Sequence, residues 1–409
     1  MLIFSIIVVI LIADYLLERL LDWLNLMNLT ETLPEELQDV YDAEKYAHSQ
    51  KYKRINTKFE FFDSSFDLLF ILAILFAGGF ALLNTFVSSI SNSPILQGAL
   101  FFCIFVLVKM LLKIPFDVYD TFVIEEKFGF NKTTPKLYIT DQIKGLILSL
   151  VINGGIIALI IWFYQLTPVY FWLWGWLLGI LIILFINYFY STLIVPIFNK
   201  QKLLEDGELK EQITLYTEKA GFKLDKIYTI DGSKRSTKAN AYFTGFGRKK
   251  RIVLYDTLIN DLTIKEIVAV LMHEIGHYKK KHVLSGMIYS FIQIGLNLFV
   301  LSLFVSKPAL SQALGVQDAT FHIGLIAFNL LMGPIALVVS LFMNVFSRKY
   351  EYQADNFVLQ YELGDALIDA LKKLSVNNLS NLTPHPIYVF FHYSHPTLLQ
   401  RIRKIKIDN

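Results

Sequence analysis

Cysteine is nearly absent from this chain of 409 residues, which contains a single one, Cys103. One cysteine excludes an intramolecular disulfide framework and a metal cluster held by several thiolates. Charge is also scarce, because Asp, Glu, Lys and Arg make up only 18% of the residues. Apolar side chains account for 54%, and the mean hydropathy of +0.48 is too high for an ordinary soluble domain. The composition therefore predicts a membrane protein.

Seven apolar runs are long enough to cross the hydrocarbon core of a bilayer as helices, which takes about 20 residues. They are residues 1–24, 66–90, 94–116, 143–164, 169–195, 283–305 and 320–346. The first run has no basic segment before it and no evident cleavage site, so we expect it to remain as a helix. We predict a mainly α, polytopic membrane protein with seven transmembrane helices.

Basic residues are concentrated in the connections after the first, third, fifth and seventh runs, whereas the other connections contain only Lys307. Because basic loops stay on the cytoplasmic side, the N-terminus is predicted to lie outside or in the lumen and the polar segments in the cytosol. We divide the chain into 1–195 with five membrane helices and their loops, a cytosolic segment 196–282, two membrane helices in 283–346, and a cytosolic segment 347–409.

The segment 196–282 combines helical and strand patterns. Residues 205–221 predict a helix that ends at Gly221, residues 225–231 predict a strand, and residues 239–246 and 251–256 predict two strands joined by a basic turn. Thr263 and Glu266 form a capping-box pattern, which predicts that a further helix begins there. After residue 347 we predict helices near 347–360 and 365–374, a proline-rich loop, and a short amphipathic helix at the end.

The helix that begins near Thr263 contains the pattern H-E-x-x-H at residues 273–277. Residues four apart lie about 5 to 6 Å from each other on one helix face, so His273 and His277 can direct ring nitrogens at one ion. Glu274 lies one position round and is predicted to act as a general base on a water activated by zinc, which lowers the water pKa toward about 7. The alternative is a pair of structural histidines on a polar helix face.

A hydrolytic zinc site needs three protein ligands and an open fourth position. Glu351 is the best candidate for the third ligand, because it follows the seventh apolar run as directly as His277 precedes the sixth. Asp355 shares the helix face of Glu351 and is predicted to orient a ligating imidazole. One alternative is that both carboxylates lie on a solvated, ion-paired helix face. The rival ligands are His282, His385, His392 and His395.

These residues are part of a wider pattern that resembles a known family, the zinc-dependent CaaX prenyl protease type 1 family of integral-membrane metalloendopeptidases. The resemblance extends over most of the chain. Besides HEIGH and EYQAD, it rests on PFDVYDTFVIEEKFGFNKTT (115–134), DGSKRSTKANAYFTGFGRKKRIVLYDTL (231–258) and HYSHPTLLQRI (392–402).

The resemblance implies that the seven membrane helices form an α-barrel around a large chamber and that the cytosolic part is a zincin-like α+β unit. It implies one zinc ion held by His273, His277 and Glu351, with Glu274 as the base. It also implies that His395 lies beside the metal, where it would stabilise the oxyanion.

The same resemblance identifies residues that hold the substrate. They are Asn240, the strand residues Ala241, Tyr242 and Phe243, and Arg401. An exposed strand edge can bind an extended peptide through main-chain hydrogen bonds, which agrees with this assignment. The alternative for the strand is an ordinary hairpin.

The predicted function is hydrolysis of a peptide bond close to the cytosolic face, with removal of the last three residues from a prenylated C-terminal CaaX peptide. One alternative is the same chemistry on misfolded or stalled membrane proteins, and another is a non-catalytic transporter or metal-binding scaffold. The expected partners are a peptide or protein substrate and the lipid bilayer. No nucleic-acid motif accompanies the basic stretches, so no nucleic-acid partner is expected. The expected location is the endoplasmic reticulum or inner nuclear membrane for a eukaryotic chain, and the inner (plasma) membrane for a bacterial one.

Overall fold

The computed structural model describes residues 1–30, 33, 35–222, 224, 226–244 and 251–408. The N-terminal part is helical, because a backbone inside a bilayer satisfies its polar groups most readily within a helix. Its helices are α1 (Leu2–Met27), α2 (Ala43–Phe76), α3 (Gly79–Ile90), α4 (Pro94–Tyr119), α5 (Pro135–Leu166), α6 (Phe171–Phe189) and α7 (Val195–Phe198). Short π-helical segments follow α4 at Asp120–Glu125 and α6 at Tyr190–Ile194.

A small mixed sheet and three helices follow. In chain order they are β1 (Gln201–Leu203), α8 (Glu208–Lys219), β2 (Lys226–Ile230), β3 (Ala241–Thr244), β4 (Arg251–Tyr255), α9 (Asp256–Asp261) and α10 (Ile264–Lys279). The strand order is β1-β2-β4-β3, with β2 and β4 parallel and the other pairs antiparallel. The three predicted strands are confirmed, whereas the three-residue β1 was too short to predict. The predicted turn at 247–250 and the last two residues of the predicted strand 239–246 lie outside the described residues.

The remainder of the chain is helical. Its elements are α11 (His282–Phe304), α12 (Pro308–Ala313), α13 (Phe321–Leu331), α14 (Gly333–Leu359), α15 (Gly364–Asn377), α16 (Pro386–His392) and α17 (Leu398–Asp408). The predicted C-terminal helices are confirmed, but α16 lies inside the segment predicted as a proline-rich loop. Pro386 occupies the first turn of α16, where the missing N–H of proline has no helical partner to lose.

Four described helical segments are long and apolar enough to cross a membrane, namely Pro94–Glu125, Pro135–Leu166, Phe171–Phe198 and His282–Phe304. Two bent pairs raise the number to six if each pair is one span: α2 with α3, bent by 66°, and α13 with α14, bent by 55°. The first predicted span forms α1, but the second half of α1 carries the charged residues Asp14, Glu18, Arg19 and Asp22. The described helices therefore do not confirm the predicted count of seven spans.

One hydrophobic core joins the sheet and α10 to the C-terminal helices. Its buried members include Leu254 of β4, Ile275 of α10, Val358 of α14, Leu367 of α15 and Ile402 of α17. Burial of such side chains stabilises each by about 1.5–3 kcal/mol relative to exposure. The core therefore holds α10 and α14, which carry the two halves of the predicted metal site, in one packed unit.

Two ion pairs attach the segment before β3 to the membrane helices. Arg235 donates from Nε and Nη2 to both carboxylate oxygens of Asp141 in α5, at 2.8 and 3.0 Å. Lys238 Nζ lies 2.7 Å from Glu125 Oε2 in the π-helical segment after α4. These contacts fix the start of the edge strand relative to the membrane part of the fold.

Candidate active site

Three side-chain donors converge where α10 and α14 meet. His273 Nε2 lies 3.1 Å from His277 Nε2. Glu351 completes the group, with Oε2 at 3.4 Å from His273 Nε2 and Oε1 at 3.3 Å from His277 Nε2. Ligands held tetrahedrally at about 2.0–2.1 Å from zinc lie about 3.3 Å from one another. The spacing of these donors therefore fits one divalent ion.

The surroundings of Glu351 also favour a metal over a structural histidine pair. Glu351 and His273 are buried, and the Glu351 carboxylate lies within 3.4 Å of ring nitrogens of His273, His277 and His395. A buried carboxylate is costly unless a positive charge lies close to it. Two imidazole lone pairs facing each other would repel unless a proton or a cation lay between them. Two imidazoles and one carboxylate form a donor set that suits Zn²⁺.

The start of α10 is fixed by the predicted capping box. Thr263 N donates to Glu266 Oε2 at 2.8 Å, and Glu266 N donates to Thr263 Oγ1 at 3.4 Å. Burial alone would raise the pKa of Glu266, but Lys373, whose Nζ lies 2.7 Å from Oε1, and the Thr263 hydrogen bonds lower it. The cap sets the rotation of α10 and therefore the direction of its two histidines.

Gly276 allows α10 and α14 to approach closely. A Cβ atom at Gly276 would lie 3.2 Å from the Cα and O of Ala354 and 3.1 Å from the Cβ of Phe357. These distances are tighter than ordinary van der Waals contact. The absence of a side chain at Gly276 thus brings the Glu351 helix within reach of the histidines.

Asp355 contacts His273 on the ring nitrogen that faces away from the donor cluster. Asp355 Oδ1 lies 2.9 Å from His273 Nδ1, which leaves Nε2 facing the other donors. Burial lowers the pKa of His273, but the contacts with Asp355 and Glu351 outweigh it and raise that pKa to about 9. The orientation role predicted for Asp355 agrees with this geometry.

Arg401 lies behind the same histidine. Its Nε and Nη2 donate to Asp355 at 2.9 and 2.6 Å, and Nη2 lies 3.3 Å from His273 Nδ1. Burial lowers the pKa of Arg401, but the Asp355 carboxylate more than compensates and raises it. The resemblance implies a substrate contact for Arg401, whereas its buried guanidinium is bonded to the support of a predicted ligand.

His282, one of the rival ligands, contacts His277 on the side away from the donor cluster. His282 Nδ1 lies 3.0 Å from His277 Nδ1, and His282 Nε2 lies 2.8 Å from Gln353 Oε1. The His282 ring also stacks on Tyr350, with centroids 4.2 Å apart. Sequence analysis missed Gln353 and Tyr350 as part of the site.

Two further rival ligands, His385 and His392, lie away from the donor cluster. His385 caps α16 by accepting a hydrogen bond from Ile387 N at 3.2 Å, and His392 Nε2 lies 3.4 Å from Glu18. Neither belongs to the described donors that converge with Glu351.

Glu274 and His395 lie at the accessible side of the site. Glu274 is half-buried, and no described residue forms a hydrogen bond or ion pair with its carboxylate. His395 Nδ1 lies 2.9 Å from Glu351 Oε2, while 63% of its side chain is exposed. His395 also borders a cleft of about 510 Å³, whose wall includes Lys53 and Asn378. The structure thus brings a carboxylate and an imidazole to the mouth of the donor cluster.

The predicted substrate strand lies beside α10. Phe243 of β3 packs on Tyr278, the residue after His277, with ring centroids 5.3 Å apart. Tyr242, on the other face, packs on Tyr255. Because β3 is last in the strand order, its outer edge has no partner among the described strands. Asn240 is exposed at the start of this edge.

Comparison with known families gives two matches that together span most of the chain. The family described as "CAAX prenyl protease N-terminal, five membrane helices" matches residues 23–200, and "Peptidase family M48" matches residues 203–407.

Individual relatives match over nearly their whole length. The protein named CAAX prenyl protease 1 from Saccharomyces cerevisiae is 36% identical over 423 residues, which cover 96% of this chain and 92% of that protein. An Arabidopsis thaliana protein named CAAX prenyl protease 1 homolog is 36% identical, with 96% and 95% covered. The crystal structure of S. mikatae Ste24p matches with a TM-score of 0.94 at 34% sequence identity and covers 98% of this chain and 99% of that one. The chain therefore belongs to peptidase family M48 and, within it, to the integral-membrane CAAX prenyl protease 1 group.

Proposed function

We propose that this protein is a zinc metalloendopeptidase that removes the C-terminal tripeptide from prenylated CaaX proteins at the cytosolic face of a membrane. The observation that carries the proposal is the convergence of His273 Nε2, His277 Nε2 and a Glu351 carboxylate within 3.1 to 3.4 Å of one another. The names of the full-length relatives supply the substrate class.

His273, His277 and Glu351 would hold one Zn²⁺ ion. When bound, zinc would supply the Lewis acidity that activates water for attack on a peptide carbonyl. Glu274 takes the proton of the attacking water and later delivers it to the leaving amine, because its carboxylate is half-buried and uncommitted to a described partner. His395 donates to the oxyanion that develops on the substrate carbonyl from the exposed side of the site.

The neighbouring polar residues keep the ligand nitrogens oriented. Asp355 accepts the proton of His273 Nδ1, and Arg401 holds Asp355 in place with two hydrogen bonds. His282 receives the proton of His277 Nδ1 on the other side. Each of the two histidines is thereby held as the tautomer whose Nε2 lone pair would be free to bind the metal. We assign Arg401 a positioning role in place of the substrate contact implied by the resemblance.

The substrate binds as an extra strand along the outer edge of β3, with Asn240, Ala241, Tyr242 and Phe243 as its neighbours. The scissile bond then lies beside α10, because Phe243 packs against Tyr278 there. The cleft of about 510 Å³ beside His395 receives the residues that leave.

The catalytic part faces the cytosol, and the N-terminus of α1 lies on the opposite side of the membrane. This orientation is supported by the contact of Asn28, at the C-terminal end of α1, with the carbonyl of Thr383 at 2.9 Å. The four-segment division of the chain follows the same arrangement. The membrane is the endoplasmic reticulum or inner nuclear membrane if the chain is eukaryotic, and the inner (plasma) membrane if it is bacterial.

The deciding experiment incubates detergent-purified protein with a farnesylated CaaX peptide and detects the released tripeptide by mass spectrometry. The expected result is release of the tripeptide by the wild type, with zinc found at one ion per chain. Glu274→Gln should retain zinc but lose activity by a factor of about 10² to 10⁴, since it lacks the base.

Two outcomes would contradict the proposal. Cleavage of unfolded membrane proteins without tripeptide release would favour a quality-control peptidase. Absence of peptide cleavage by both the wild type and Glu274→Gln, with zinc bound, would favour a transporter or metal-binding scaffold. An unprenylated peptide of the same sequence serves as the control for the lipid requirement.

A further inference from the structure

The part of α2 that precedes its apolar run carries a basic face that has no ion-pair partner among the described residues. Lys51, Arg54 and Lys58 are three and four residues apart, so they lie along one side of the helix. All three residues are exposed, and no described carboxylate lies within ion-pair distance of their side chains. An uncompensated row of cations attracts an anionic ligand.

These cations surround a cleft of about 590 Å³ that is separate from the metal site. The cleft is also lined by Tyr46 and Gln50, and the described residues of its wall include no carboxylate. Gln50 is only 8% exposed, yet neither its amide nitrogen nor its amide oxygen has a hydrogen-bond partner among the described residues. A buried amide without partners is costly, and an anionic oxygen acceptor would satisfy its N–H groups.

Neighbouring residues place the cleft at the depth of the membrane surface. Phe61 and Phe62, one turn beyond Lys58, are 47% and 67% exposed. The guanidinium of Arg19 in α1 lies 5.9 Å from the Phe61 ring. Trp23, one turn after Arg19, is 56% exposed. Exposed tryptophan beside apolar helix surface is typical of the interface between lipid and water.

We propose that this cleft binds the phosphate of an anionic membrane phospholipid, in the leaflet on the catalytic side. Lys51, Arg54 and Lys58 contact the phosphate and the negative headgroup, Gln50 donates an amide hydrogen, and the acyl chains lie along Phe61 and Phe62. A headgroup of net negative charge fits best, because the cleft has cations and donors but no described carboxylate that would pair with a choline ammonium group.

A bound lipid would connect the bilayer to the packed unit that carries the metal site. Tyr46, in the wall of the cleft, donates to the carbonyl of Thr30 at 2.8 Å and lies 3.5 Å from Thr383 Oγ1. Tyr41, just before α2, donates to the carbonyl of Ser375 in α15 at 2.7 Å. The wall of the cleft therefore contacts the segment that follows α15, and the chain just before α2 is bonded to α15 itself.

The test counts lipids on the intact purified protein by native mass spectrometry, with dioleoyl phosphatidylglycerol and dioleoyl phosphatidylcholine as probes. We expect one tightly held phosphatidylglycerol and no comparable phosphatidylcholine. The triple variant Lys51→Gln, Arg54→Gln, Lys58→Gln should weaken phosphatidylglycerol binding about fivefold for each cation, or on the order of a hundredfold in total. Equal retention of both lipids by the wild type would overturn the proposal.

A matched control removes three exposed lysines, two from the connection between α4 and α5 and one from the start of α5, as Lys127→Gln, Lys132→Gln, Lys136→Gln. This variant has the same change in net charge and should keep phosphatidylglycerol binding within about twofold, since these lysines do not line the cleft. An equal loss in both triple variants would mean diffuse attraction to anionic membranes and would refute a defined site.

A separate arm distinguishes lipid from free phosphate. Isothermal titration of the wild type with inorganic phosphate should show no saturable binding, and saturable binding that the triple variant lacks would assign the site to soluble phosphate instead.

Gln50→Glu provides a second variant, because it changes the cleft by one atom and adds a repelling charge. If Gln50→Glu held phosphatidylglycerol as tightly as the wild type, the cleft would not be the binding site.

Discussion

His282 Nδ1 lies 3.0 Å from His277 Nδ1, and the other ring nitrogen of His282 lies 2.8 Å from the amide oxygen of Gln353. The amide oxygen can only accept, so His282 carries its proton on Nε2 and accepts the proton of His277 at Nδ1. His277 is then left with its lone pair on Nε2, facing Glu351 and His273. A chain of two hydrogen bonds thus selects the tautomer in which His277 Nε2 is free to bind a metal.

We expect His282→Ala to weaken zinc binding about 10- to 100-fold, because His277 loses the partner that fixes its tautomer. Competition with a chromophoric zinc chelator measures this affinity without relying on activity. His385→Ala is the matched control, since His385 caps α16 and should leave zinc affinity unchanged. Identical zinc affinities in the wild type and His282→Ala would rule out the tautomer argument.

Lys281 should control the same contact through its backbone. It links α10 and α11 in the left-handed region, with φ of 62°, and this turn brings His282 back toward His277. A β-branched residue is strained there by roughly 1–2 kcal/mol, so Lys281→Val should reduce zinc affinity, while Lys281→Gly should not. Lys280→Val, at φ of −81°, is the control that removes a neighbouring charge without this strain. Equal affinities for the two valine variants would contradict the prediction.

Arg401→Lys tests whether this arginine positions a ligand or binds the substrate. Lysine keeps the charge but cannot reproduce the two parallel hydrogen bonds to Asp355, so zinc affinity should fall about tenfold. With zinc saturating, KM for the peptide should remain at the wild-type value. A raised KM with unchanged zinc affinity would restore the substrate contact that the resemblance implies.

Sequence patterns predicted the parts of the site that lie on regular helices. His273 and His277 are brought together by helical spacing, and the capping box at Thr263 and Glu266 sets the helix start. The His282 contact could not be predicted, because on an uninterrupted helix a residue five positions on would point about 140° away from His277. The break at Lys281 removes that separation, and no residue type in YKKKH signals it.

The predicted count of seven spans stays unconfirmed, because four to six described segments qualify and α1 carries charged residues in its second half. Hydropathy counts apolar residues along the chain but does not show that α2 and α3 bend by 66°, or that α13 and α14 bend by 55°. Gly78, with φ of 67°, makes the first of these bends. The contact of Arg401 with Asp355 could not be predicted either. The two residues are 46 positions apart in the chain, and only the packing of α17 on α14 brings them together.

Gly276→Ala should separate the two helices that carry the predicted ligands. The added methyl group would meet the backbone of Ala354 at 3.2 Å, and backbone cannot move aside as a side-chain end can. We expect a loss of stability of about 1–3 kcal/mol, together with weaker zinc binding, because Glu351 moves away from the histidines. Thermal unfolding with and without zinc measures both effects. Gly286→Ala in α11 is the matched control, since a Cβ there has no atom within 4 Å, and equal behaviour of the two variants would contradict the packing argument.

The outer edge of β3 predicts a periodic response to changes in the substrate backbone. Tyr255 N donates to the carbonyl of Asn240 at 3.1 Å, so Asn240 faces β4, and the main-chain groups of Ala241 and Phe243 face the free edge by alternation. A peptide bound there offers every second N–H to the edge. We therefore propose to N-methylate a cleavable CaaX peptide at one residue at a time. Methylation at alternate residues should reduce kcat/KM about 5- to 10-fold, because each removes one hydrogen bond of about 1 kcal/mol. Methylation at the residues between them should have little effect. Recognition through side chains alone would give losses with no two-residue period, and that result would remove β3 from the substrate site.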